Sequence, residues 1–305
     1  FGVNAVTIGR GYALLQQQGI VVPRQGSGTY VQPGACERVR SLSARTLDTL
    51  WLIIDADSLA DCRRETRFIV TDLLDGLYES LGRDRTQIRF TRSLSRQDLP
   101  DVGERDGVLV RNPSRCDLRF LIELVDRGIP VVLARGMPTD FNVSATTIAP
   151  CVTYDRVAAA TLVCRHLIEC GYQRIGFIGR LERDTAPKFA AFVECMHAAG
   201  RDIAARFVQE ADPTPGRAYA AARRIMQSGD MPDALFVDTD FKAMEVIGAL
   251  REEGLSVPDD IGVAGFDGVA EAESFDPPLT TVVTPRRDIG RRAGELLTTW
   301  PTDGP

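Results

Sequence analysis

Ala234-Leu235-Phe236-Val237-Asp238-Thr239-Asp240 opens the stretch that decides the fold class. Phe241 to Glu253 comes next, and then Ile261-Gly262-Val263-Ala264-Gly265. Its first four residues, Ala234 to Val237, are wholly apolar and too few for a buried helix, so they read as a strand with both faces covered. The middle segment, with Ala243, Val246, Ile247 and Leu250 set among charged residues, has the period of an amphipathic helix. The last run is apolar again. Strand, helix and strand in that order, with no polar alternation in the strands, form a parallel pair buried between helices.

The same alternation extends in both directions. Apolar runs recur at Leu50–Ile54, Gly107–Val110, Pro130–Leu133 and Ile175–Ile178. Helical stretches lie between them at Phe68–Leu81, Leu118–Arg127, Val157–Cys170, Phe189–Ala199 and Arg217–Met226, with a last one at Asp288–Leu297. Two parallel sheets in series make an α/β body of two lobes over residues 46–305: one about 46–148 with 281–300, the other about 149–280. Ligands of open α/β sheets bind at the carboxyl ends of the strands, here in the cleft between lobes.

Composition bounds the function classes. The chain has 305 residues, of which 44% are hydrophobic, enough for a sizeable core. No apolar run is long enough to span a membrane, and Phe1 is not followed by a basic-then-apolar leader. Seven cysteines, an odd number without a C-x-x-C pair, read as buried reduced thiols of a cytosolic protein. The net charge of −6 is unevenly spread: residues 1–45 hold five arginines against Glu37, or +4, which leaves −10 for the rest. A basic end on an acidic body suits a small DNA-binding unit joined to a soluble partner domain.

That end has its own pattern. Asn4 to Gln18 suits one helix, capped by Asn4, with Ile8, Tyr12 and Leu15 as an inward stripe and Gly19 as its stop. Ile20-Val21-Val22 and Thr29-Tyr30-Val31 flank Pro23-Arg24-Gln25-Gly26-Ser27-Gly28, a hairpin with a glycine-rich tip. Taken alone, a helix and hairpin also serve as a cap on the body. The run Phe1-Gly2-Val3-Asn4, Thr7-Ile8, Tyr12, Leu15, Gly19-Ile20 and Arg24 to Val31 resembles the GntR-type winged helix-turn-helix. The resemblance implies that residues 1–31 are the C-terminal part of a DNA-binding domain, that 32–45 is a linker, and that Asn4, Thr7, Arg10, Arg24 and Gly28 lie near DNA. Ala5 and Gly9 depart from the family, which often has arginine there.

The body resembles the LacI-type regulator domain, itself similar to periplasmic sugar-binding proteins. The resemblance rests on Pro232–Phe236, Val257-Pro258-Asp259-Asp260-Ile261, Gly265-Phe266-Asp267 and Pro277-Pro278-Leu279-Thr280-Thr281-Val282. It also rests on Val152-Thr153-Tyr154-Asp155, Gly171 to Gly179, Asp106-Gly107-Val108 and Gly128 to Leu133. Together with the head it is similar to arabinose-repressor-like regulators; that family usually has a further strand after the last helix, which is expected to be absent here, where the chain reads Thr299-Trp300-Pro301. The implied cleft has Tyr154 stacking on the effector, Asp267 accepting its hydroxyls, Lys188 in place of a usual arginine, Thr239 in place of asparagine and Arg135 in place of aspartate. Asp55 and Asp57 come after the first strand and also face the cleft. Asp155 reads as a helix cap rather than a ligand. Two cations, Arg135 and Lys188, suit an acidic or phosphorylated sugar.

The implied protein is a repressor that binds palindromic operator DNA as a homodimer and senses a sugar-like effector, with no cofactor and no membrane. Enzyme signatures are missing: Gly26-Ser27-Gly28 lacks the nucleophile elbow and Gly9-Arg10-Gly11 the third glycine of a dinucleotide loop. Asp238-Thr239-Asp240 reads as a loop-to-helix turn before a metal site. The competing class is a transport-type solute-binding protein, which shares such a body and lacks the basic head.

Overall fold

The computed structural model describes residues 13, 15–17, 19–24, 28–35, 45–54, 63–82, 85–91, 93–99, 101–111, 117–134, 148–181 and 186–300. Of the sites expected from the sequence, Asn4, Thr7, Arg10, Asp55, Asp57 and Arg135 lie outside them, as do most of the expected N-terminal helix and linker.

Residues 15–17 are helical, and the chain turns where Gly19 was expected to stop it: Gly19 N–H donates to Gln16 O (3.0 Å) and Ile20 N–H to Leu15 O (2.9 Å). These two bonds satisfy carbonyls that a helix end leaves without partners. Strands β1 (Val21–Arg24) and β2 (Gly28–Val31) then pair antiparallel, with Arg24 opposite Gly28 at the tip. Ile20, Val21 and Ala35, with Leu15 against them, form the small core of this unit.

Lobe 1 holds a five-stranded parallel sheet in the order β4-β3-β5-β6-β7. Its strands are β3 (Thr49–Ile53), β4 (Gln87–Thr91), β5 (Asp106–Val110), β6 (Val131–Ala134) and β7 (Cys151–Val152). Period-two alternation divides its two faces. Ile53, Val108, Val110, Val131 and Leu133 pack on α2 (Leu118–Asp126) through Phe120, Leu121 and Leu124. Leu50, Leu52, Leu109 and Val132 point the other way, onto α1 (Arg63–Leu81) and α8 (Arg286–Thr298). Those two helices meet backbone to backbone. A side chain at Gly76 would strike Arg287 O, and one at Gly290 would strike Leu73 O, so both positions must stay bare.

Lobe 2 holds a four-stranded parallel sheet, β11-β10-β8-β9. Its strands are β8 (Ile175–Gly179), β9 (Val208–Glu210), β10 (Ala234–Val237) and β11 (Gly262–Ala264). One face carries Ile175, Phe177, Phe236 and Ala264 against α3 (Arg156–Glu169) and α4 (Ala186–Ala198). The other carries Ile178, Leu235, Val237 and Val263 against α5 (Arg217–Gln227) and α6 (Asp240–Glu252). A single turn, α7 (Glu271–Ser274), precedes the return of the chain to lobe 1. On the way Thr280 bridges Ala264 and Val283 bridges Asp267, both in parallel.

Every apolar run expected as a strand is one, within a residue or two. Strands β4, β7 and β9 were not expected. Each lies at a sheet edge, where Gln87 and Arg89 face water and β9 has one open side, so neither strand needs a continuous apolar run. The expectation that the cysteines are buried holds for Cys164, but Cys170 is exposed at the end of α3, with its sulfur 3.7 Å from His166 Nε2. Burial pushes the Cys164 thiol well above its usual range. Among the described residues no helix is long and apolar enough to cross a membrane.

Candidate functional site

The carboxyl ends of β8, β10 and β11 lie side by side, and polar residues come within three positions of each. β10 runs into Asp238 and Thr239 before α6 begins. Thr239 caps that helix, its side chain accepting from Lys242 N–H, and so holds a helix N-terminus at the sheet edge. The Asp238 carboxylate is fully buried and accepts from Lys242 Nζ at 2.8 and 3.1 Å and from Arg180 N–H at 2.9 Å. Gly179 ends β8 directly against it: a Cβ there would lie 2.5 Å from Asp238 Cβ. Asp240 is equally buried, accepting Thr281 Oγ–H at 2.6 Å and Val269 N–H at 2.8 Å. Burial raises its carboxyl above the ordinary carboxylate range, against the pull of those donors. The Asp-Thr-Asp triplet is thus a loop-to-helix turn, and among the described residues no group of three or more His, Cys, Asp and Glu side chains is placed to hold a metal ion.

Lys188 comes to this edge from α4. Its Nζ donates to Asp238 O at 2.7 Å and sits 3.7 Å above the centre of the Phe266 ring. Both lysines of the chain, Lys188 and Lys242, are therefore gathered around one aspartate. Burial lowers the Lys188 amine below its ordinary range, the charges of Asp267 and Asp238 oppose that, and Arg156 and Lys242 add to it. The sequence suggested a cation displayed to an anionic ligand. The structure instead turns the amine inward, with one donor committed to a backbone carbonyl and its charge over a ring.

Asp267 comes after β11 at φ 125°, a conformation that residues with a side chain rarely adopt. Its carbonyl accepts from Arg286 Nη1 at 2.8 Å and Thr284 N–H at 3.2 Å, and its own N–H donates to Val282 O at 3.1 Å. Tyr154, after β7, is packed against the apolar clusters of both lobes and so sits where they meet. Asp155 caps α3 through Ala158 N–H, as its position suggested. The structure therefore brings Lys188, Thr239 and Asp267 to one sheet edge and puts Tyr154 at the junction. In the hairpin, Arg24 and Gly28 are the paired strand ends. Arg286 and Asp72 were not expected: Arg286 Nε donates to Asp72 Oδ2 at 3.1 Å, 214 residues away in sequence.

Two parallel sheets, with polar groups collected at the carboxyl edge and a shared aromatic between them, make an arrangement found in known proteins. Residues 164–303 match the periplasmic binding protein-like domain. The periplasmic-binding-protein-like fold also accounts for residues outside that match. The structure resembles that of the transcriptional regulator CelR in complex with cellobiose, at 25% identity and a TM-score of 0.63, over 88% of this chain and 84% of that one. In sequence, the chain is 33% identical to Catabolite control protein A of Priestia megaterium over 198 residues, 64% of this chain and 58% of the relative. It is 36% identical to the HTH-type transcriptional repressor PurR of Haemophilus influenzae over 138 residues, 45% of this chain and 41% of the relative. The chain thus spans roughly half the length of these relatives. They are transcription regulators, not enzymes, and none of them supports the GntR type for the head.

Proposed function

We propose that this chain is the sensing body, with part of the DNA-binding head, of a ligand-responsive transcriptional repressor. One observation carries the reading: a periplasmic-binding-protein-like body that resembles repressors also presents Tyr154, Thr239 and Asp267 at its strand ends. An aromatic at the junction suits the apolar face of a sugar, and a carboxylate suits its hydroxyls. The cellobiose held by a related regulator supports a sugar-like effector. With Lys188 turned inward, Arg135 is the residue left to favour an acidic or phosphorylated one.

In this reading residues 46–148 with 281–300 and residues 149–280 are the two lobes, and residues 1–31 belong to a winged helix-turn-helix. The β1–β2 hairpin supports the wing, whose basic tip approaches DNA. The body acts as a homodimer in the cytoplasm, pairing two heads on a palindromic operator. Effector closes the lobes and shifts DNA affinity 5- to 150-fold, through a coupling of about 1–3 kcal/mol.

Thermal-shift titration with glucose and cellobiose beside glucose 6-phosphate and glucuronate tests the sensing role. A ligand bound only by the folded protein at a hundred times its Kd stabilises it by about 2.7 kcal/mol. Stabilisation by the two acidic sugars alone assigns Arg135 its role; stabilisation by the neutral ones alone removes it. No response from any of the four overturns a sugar effector. Fluorescence anisotropy with duplex DNA, on a protein whose DNA-binding head is whole, separates the repressor from a transport-type binding protein: affinity falls steeply with salt for the first, and the second does not bind.

A further inference from the structure

Arg286 is the first residue of α8 and is buried, a costly place for a cation because the helix N-terminus already carries partial positive charge. Its guanidinium is therefore engaged on every side. In lobe 1 it donates to Asp72 Oδ2 on α1 at 3.1 Å. Toward lobe 2 it donates to Asp267 O at 2.8 Å and Gly268 O at 3.4 Å, and lies 3.9 Å from Asp267 Oδ1. Thr284 Oγ1, in the returning crossover, accepts a fourth donation at 2.5 Å. A planar group with five donors in a fixed fork holds such partners at set angles, which an ammonium cannot do.

The two ends of this bridge differ in kind. On the lobe 1 side α1 and α8 touch backbone to backbone at Gly76 and Gly290, so Asp72 and Arg286 belong to one rigid pair of helices. On the lobe 2 side the partner is Asp267, whose positive φ needs outside support to persist. The Arg286 and Thr284 bonds to its carbonyl supply that support. We propose that Arg286 is a positioning residue: it fixes the carboxylate of Asp267 at the sheet edge and passes any displacement of that residue to α1 through Asp72. The link to an effector rests on the reading of Asp267 as an effector contact; the bridge itself does not.

Amide hydrogen exchange on the ligand-free chain tests the bridge across the lobes. Asp72→Asn changes a half-exposed side chain of lobe 1, yet it should speed exchange of the Asp267 amide in lobe 2 and the Thr284 amide in the crossover about fivefold, the loss of part of a charge-assisted hydrogen bond. Arg286→Met should speed the same amides by more and add α1, while Arg286→Lys, which keeps the charge without the planar fork, falls between. Amides of α5 should not change in any variant. If Asp72→Asn leaves both of these amides within twofold of wild type, the bridge does not transmit and the proposal fails, whether or not Arg286→Met folds. Because no ligand is present, this failure is distinct from silence in the sugar titration.

Discussion

Around the sheet of lobe 1 the described core is mainly aliphatic: Leu50, Leu52, Leu109 and Val132 on one face, Val108, Val131 and Leu121 on the other, with Phe120 and Trp300 as separate aromatics. Thr86, buried below the strands, donates to Leu47 O, and the other buried polar side chains described in this lobe, Thr284 and Arg286, belong to the crossover and α8. Lobe 2 has the same kind of parallel sheet but different material. Phe177, Phe189, Phe192, Phe236 and Phe266 form a contiguous aromatic core, and Lys188, Asp238, Asp240 and Lys242 are buried with it near the carboxyl edge. Apolar packing is non-directional and tolerates small shifts, whereas buried charges hold only in a narrow geometry. Lobe 1 is thus set by packing, while lobe 2 has a sheet edge fixed in place by charge and hydrogen bonds.

The largest effect expected of this difference is at Asp238. Asp238→Ala leaves the Lys242 ammonium buried without a counter-charge and should destabilise by about 3–5 kcal/mol in urea denaturation. Adding Lys242→Met to that variant should recover much of the loss. A double variant no more stable than Asp238→Ala breaks the distinction between the lobes. The lobe 1 counterpart, Leu109→Ala, should cost about 3 kcal/mol through its cavity, and no second substitution of a charged residue should relieve it.

How far the sequence reveals these features depends on how local they are. The runs at Ala234–Val237 and Ile175–Ile178 are legible because a strand covered on both faces must be apolar throughout. β4 is not, since Gln87 and Arg89 at the open edge interrupt the pattern. Thr239 and Asp267 are legible as residues next after strands, and Asp155 as a cap. The direction of Lys188 is not, because its partner is a backbone carbonyl 50 residues away. Nor is the Arg286–Asp72 pair, which no spacing rule links across 214 positions. The exposure of Cys170 is hidden for a related reason: an apolar neighbourhood in sequence does not fix which helix face a residue occupies.

A smaller effect is expected at Thr281. Thr281→Val removes the hydroxyl that donates to Asp240 and leaves that buried carboxylate with its backbone donors, a loss of about 1–3 kcal/mol by urea denaturation. Asp240 is already raised by burial, so losing a donor raises it further. A raised carboxyl binds protons more readily in the folded state, so stability falls as pH rises above the ordinary carboxylate range. The deficit of Thr281→Val should therefore shrink at acidic pH. A deficit that does not change between acidic and neutral pH means that the Thr281 hydroxyl does not help Asp240 carry its charge.

The smallest change is expected from Lys188→Met, where the informative quantity is a slope. Burial holds the amine below its ordinary 10.5 in the folded chain. As pH falls below 10.5 the unfolded chain takes up the proton first, so wild type loses stability relative to a methionine variant of similar volume until the folded amine is also protonated. Thermal melts of both proteins between about pH 7 and 10 should therefore converge with rising pH, the methionine variant leading at the acidic end. No substitution in the described aliphatic core of lobe 1 has a titrating group that gives such a slope. Parallel curves would mean that the Asp238 carbonyl, the Phe266 ring and the nearby carboxylates fully offset the burial of Lys188. The amine would then be as well solvated by the protein as by water.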